Sequence, residues 1–161
     1  MIARGERMGM VSVAARVIGA IMVMGLLAGC GAGAGDLAQR VQEIEGVENA
    51  TVEVMRPGAP WNRAGRLVVQ VSDSSEVSHQ DVVLHSLVLL AQSFPDPSQS
   101  VLATFTTDSN LDVTADTTPL PDFAEMIESL PFHARPINQA SVSANPEDIL
   151  AWAESNGYEV E

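Results

Sequence analysis

The chain has no lysine, a single cysteine at position 30, and aromatic side chains at only 4% of its 161 positions. With one cysteine no disulfide can close within the chain, so the fold must hold through its core. The lack of lysine removes any Ser-x-x-Lys pair and any Schiff-base amine, and no Gly-x-Ser-x-Gly elbow is present either. Positive charge is also scarce, with eight arginines against 21 acids and a net charge of −13. Such a balance repels phosphate backbones, which disfavours nucleic acid as a partner.

What is present begins with an apolar run. Arg4, Arg7 and Arg16 precede Val17 to Leu27, which is apolar apart from glycines. At about 11 residues it falls short of the roughly 20 needed for a stable membrane span. The run ends in Leu27-Ala28-Gly29-Cys30, which resembles the lipobox of bacterial lipoproteins, with Leu three places before Cys and small residues between. The resemblance implies that residues 1–29 are an export signal cut by signal peptidase II before Cys30. It further implies a diacylglyceryl group of the palmitate type on the Cys30 sulfur, optionally joined by an N-acyl chain. A thiolate is the nucleophile that such a lipid transfer uses. The competing reading is an uncleaved anchor from about Val11 to Ala34. On the lipoprotein reading the mature protein is held on the extracytoplasmic face of the cell membrane, and no cofactor is expected beyond that covalent lipid.

Cleavage there would leave 132 residues carrying five arginines and twenty acids, a net charge of −15. The expected organisation is a lipidated Cys30 with a flexible Gly/Ala tether through residue 35, then one acidic domain over 36–161. A domain of that length can bury roughly two thirds of its unfolded surface. Acyl chains contribute about 0.8 kcal/mol per buried methylene, so anchorage survives the repulsion between the acidic body and anionic headgroups.

Within the domain, Asp36 reads as the cap of a helix with Leu37, Val41 and Ile44 on one face and Gly46 as its stop. Two alternating segments follow, Asn49 to Met55 and Arg66 to Val71, the latter with Leu67, Val69 and Val71 inward. Ser78 to Asp81 caps a second helix with a wide apolar stripe from Val83 to Phe94, ended by Pro95-Asp96-Pro97. Val101 to Thr106 and Leu111 to Ala115 read as a hairpin turning at Asp108-Ser109-Asn110. Further alternation covers Pro121 to Leu130 and Ile137 to Val142. Asn145, Pro146 and two acids then open a last helix, with Tyr158 to Val160 as a final edge strand. Repeated helix-strand-strand units predict an α+β fold with helices layered on one face of an antiparallel sheet, in the manner of a ferredoxin-like module.

The nine residues Ile44 to Val52 resemble the helix, Gly-Val, strand junction of envelope BON-type domains and of small ferredoxin-like modules. The cysteine metal motif of the heavy-metal ferredoxin-like modules is missing, so no metal function follows from that likeness.

Of the candidates for chemistry, His79 and His85 lie six apart, about 600° of helical rotation, and do not share a face for a metal. Asp81 and His85, four apart, are spaced to pair on the polar side of the second helix. Asp122 with Glu125, and Glu147 with Asp148, sit at helix starts, where the dipole favours acids without catalysis. No catalytic residue and no metal ligand are assigned.

The one break in the acidic background is a loop holding Arg56, Trp61, Arg63 and Arg66 within eleven residues that contain no acid. Arginine beside an exposed tryptophan is a pairing enriched at binding hot spots. The plain alternative is that the arginines pair with the protein's own acids while Trp61 covers a core edge. The sequence therefore points to a membrane-anchored binding or assembly module, with an envelope protein as its partner. A small-ligand carrier with an apolar cavity and an enzyme with an unrecognised site stay open as alternatives.

Overall fold

The computed structural model describes residues 33–58, 61–74, 76–112 and 117–158. The expected leader, Cys30 and the first tether residues lie outside the described residues, as do 113–116 and 159–161. Helix α1 (Ala34–Gln42) begins earlier than the reading of Asp36 as its cap. The helical bonding reaches back to Gly33, whose carbonyl accepts from Leu37 N–H at 3.1 Å. Asp36 instead lies in the first turn, where the positive end of the helix favours a carboxylate. Ala34 and Gly35 are therefore helical, and the expected tether is shorter by those residues. Leu37 and Val41, four apart and so on one face, are fully buried. Gly46 then turns the chain at φ 91°, and a Cβ there would collide with Val77.

Strands β1 (Val47–Met55) and β2 (Ala64–Val71) pair antiparallel, with Ala50 opposite Val69 and Val52 opposite Leu67. Helix α2 (His79–Ser93) carries the chain across to β3 (Val101–Thr106), which pairs parallel to β2. The expectation of a purely antiparallel sheet is corrected by this pair. A parallel neighbour requires a crossover, and a helix of 15 residues, about 22 Å long, supplies one. The β2–α2–β3 unit is contiguous, whereas the split βαβ of a ferredoxin-like module inserts a strand between its parallel pair. Short α3 (Phe123–Glu128) follows, then β4 (Ala134–Pro136), β5 (Ser141–Ala144) and α4 (Pro146–Ser155). The five strands are ordered β1-β2-β3-β5-β4, a mixed sheet of an α+β fold.

The expected hairpin partner of β3 is likewise corrected. Both sides of β3 are occupied, by β2 and by antiparallel β5, so no edge is left for Leu111 and its neighbours. Leu111 and Asp112 are not in a strand and instead line a small hollow with Thr51, Glu53, Arg66 and Val68 on the sheet. The excursion is tied at its base, where Thr106 Oγ1 donates to Thr118 O at 2.8 Å and Thr118 N–H donates to Asp108 at 2.7 Å.

The helices pack on one face of the sheet, as expected. Val52, Leu67, Val69, Val71, Ala103, Phe105, Val142 and Ala144 point to that face by register and join Leu37, Leu87 and Ile149 in one core. The apolar stripe of α2 is consumed here: Val83, Leu87, Leu90 and Ala91 are fully buried. Phe105 meets Phe123 of α3 at 6.3 Å between ring centroids. Two helix starts follow the capping logic of the sequence. Ser78 Oγ accepts from Asp81 N–H at 3.3 Å, and Asn145 Oδ1 accepts from Glu147 N–H at 2.8 Å with Pro146 in the first turn.

Candidate functional site

The loop between β1 and β2 is bent by Gly58, at φ 76°, and braced by Asn62, whose amide donates to Pro57 O at 3.0 Å. That bracing presents Trp61 with 81% of its surface exposed, the largest exposed apolar side chain among the described residues. Trp61 and Arg63 form one wall of an open groove of about 750 Å³. The first turn of α1, with Gly33, Ala34 and Asp36, forms a second wall. The end of α2 and the turn after it close the groove with Ser93, Phe94, Pro95 and Asp96.

The floor follows from a missing side chain. Phe94, only 8% exposed, lies over Gly65 of β2, and a Cβ on Gly65 would overlap the Phe94 ring and come within 2.8 Å of Leu90. Glycine thus allows α2 to end close against the sheet, which places Phe94 beside the loop. Asp96 accepts from both the hydroxyl and the N–H of Ser98, at 2.7 and 3.0 Å. These bonds hold its carboxyl below the usual carboxylate range.

The four loop residues singled out by sequence are not one cluster. Trp61 and Arg63 meet in the groove, but Arg66 projects to the opposite face of the sheet, where it pairs with Glu53 at 3.6 Å. Arg66 therefore follows the plain reading, an arginine paired with the protein's own acid, with its buried Nε left without a hydrogen-bond partner among the described residues. Arg56 is exposed just past the end of β1 and does not line the groove. Among the described residues Arg56 and Arg63 have no acidic partner. Sequence reasoning missed the other walls: Asp36 reads as a cap and Phe94 as core, and their approach to Trp61 is set by tertiary packing.

The histidines sit elsewhere. His79 Nε2 lies 3.1 Å from Ser72 O, and His85 Nε2 lies 3.0 Å from Tyr158 Oη, in place of the expected pairing with Asp81. Among the described residues no group of three His, Cys, Asp or Glu side chains is placed to hold a metal. No helix among them is long and apolar enough to cross a membrane. No family model matches the chain, and neither a curated protein nor a solved structure is significantly similar to it.

Proposed function

We propose that this protein is a lipid-anchored module of the bacterial cell envelope, tethered through Cys30 on the extracytoplasmic side, which acts by binding through the Trp61–Arg63 groove. The observation that carries the reading is the coincidence of two features. An 81% exposed tryptophan shares a groove with Gly33, three residues after the cysteine that ends the lipobox-like run. An exposed indole beside an arginine is costly to leave in water and is what a contact surface uses. The apolar stripe of α2, which a carrier would need to wall a cavity, is spent on packing against the sheet and neighbouring helices. That favours a surface contact over an enclosed ligand.

The anchor is tested by labelling cells with radioactive palmitate and comparing wild type with Cys30→Ser. Label on the wild type alone is the expected result, and equal labelling of both proteins rejects the anchor. The contact surface is tested by replacing Trp61 and Arg63 together with alanine. The expected result is that the protein stays lipidated and folded but loses whatever it contacts in the envelope.

A further inference from the structure

We infer that the occupant of the Trp61 groove is the bilayer surface itself, so that the indole is a second membrane contact beside the lipid. The inference rests on the lipid-anchor reading and adds the identity of what the groove meets. Three residues of chain reach at most about 10 Å. Acyl chains on Cys30 therefore hold Gly33, one wall of the groove, within about that distance of the headgroups. A single helix with its side chains is about 10 to 12 Å across. A protein partner seated between Gly33 and the headgroups would have to be thinner than one helix, whereas a lipid surface already lies there.

The side chains suit that surface. Tryptophan concentrates at membrane interfaces because its ring is apolar and its N–H is a donor, and Trp61 presents nearly its whole indole. Arg63 next to it can lay its apolar stem along the boundary with its guanidinium among phosphates. The segment from Met55 to Arg66 has no acid and gathers three of the eight arginines, Arg56, Arg63 and Arg66. Asp36 and Asp96 on the opposite walls offset Arg63, so the groove is not a trap for free anions, and the seating falls to the indole. Two attachments fix the domain's posture where a lone tether would leave it free to pivot.

The test uses the full mature lipidated protein in vesicles of phosphatidylethanolamine and phosphatidylglycerol whose acyl chains are brominated near the headgroup. Bromine quenches only an indole that enters the bilayer. Comparison of wild type with Trp61→Phe isolates Trp61, because Trp152 stays in both proteins. The expected result is a loss of emission in the wild type and none in Trp61→Phe, with a smaller loss when the bromine lies near the terminal methyl. Equal loss in both proteins, or none in either, overturns the inference. A photo-crosslinking residue at position 61 in living cells gives the second readout. Lipid adducts support the inference, and adducts to another envelope protein or to a second copy of this chain overturn it. Intact mass of the same sample separates the two levels. Lipid on Cys30 without quenching rejects the membrane contact and leaves the anchor standing, whereas an unmodified N-terminus rejects both.

Discussion

The chain has two tryptophans, and the fold treats them in opposite ways. Trp152, on α4, packs its ring between Phe132 at 6.0 Å and Tyr158 at 5.2 Å, and Tyr158 passes the contact on to His85 of α2 at 5.4 Å. Trp61 stands on a braced loop with 81% of its surface in solvent. With only 4% aromatic residues in the chain, leaving one indole outside forgoes a large share of the available apolar contact. The difference separates a tryptophan packed into an aromatic cluster from one left in solvent, the one that the proposed function gives to a contact outside the molecule.

Removing the inner ring is the strongest way to sharpen that contrast. Trp152→Ala takes a half-buried indole out of its cluster with Phe132 and Tyr158, and the loss should be about 2 to 4 kcal/mol, read as a lowered denaturant midpoint. Next in size is Gly65→Ala. Its Cβ has no room beneath Phe94 and Leu90, so the ring must lift, at a cost of about 1 to 3 kcal/mol. The same substitution should disturb the groove above it, which Trp61 emission would report. A smaller effect belongs to Tyr158→Phe, which keeps the stacking on Trp152 and deletes the bond to His85 Nε2 at 3.0 Å. About 1 kcal/mol is expected, and Tyr158→Ala should cost more because it also removes the ring.

Those magnitudes depend on contacts that the sequence showed unevenly. Local signals carried through: Asn145 with Pro146 and Ser78 with Asp81 cap helices where their spacing placed them, because capping involves neighbours in the chain. Strand partnership did not. Leu111 to Ala115 alternates like the second arm of a hairpin, yet β3 finds β2 and β5, both distant in sequence, and is filled on both sides. At the site, a loop rich in arginine and without acid drew attention to Trp61 and Arg63. Its grouping of Arg66 with them ignored the period of two along a strand: with Leu67 and Val69 inward, Arg66 must face the other way. The place of Phe94 at the groove carries no local mark, since only the close seating of α2 over Gly65 brings it there.

Acid should touch both faces of the sheet gently. Asp96, at the groove, is held below the usual carboxylate range by the Ser98 hydroxyl and amide, and Asp108, in the loop after β3, by the Thr118 N–H. A lowered folded value means that these bonds favour the folded state fully above the ordinary carboxylate range. Their contribution is lost as pH falls through the lowered value. NMR titration should show each carboxyl changing below an ordinary aspartate, with the amide protons of Ser98 and Thr118 following the same midpoints. Ser98→Ala should move the Asp96 midpoint upward and leave that of Asp108 in place.

The smallest expected change in stability is at the outer tryptophan, and its smallness is what decides between the two roles. Trp61→Ala removes a side chain that has little of its surface against the protein, so the unfolding free energy read from the denaturant midpoint should change by less than about 0.5 kcal/mol. The brace from Asn62 to Pro57 does not involve the indole and should keep the loop's path. A loss near that of Trp152→Ala would mean that Trp61 covers a core edge, and its exposure would then have no functional meaning. A fold left intact, together with changed behaviour at the membrane, assigns the indole to what lies outside the domain, because nothing inside would have registered its removal.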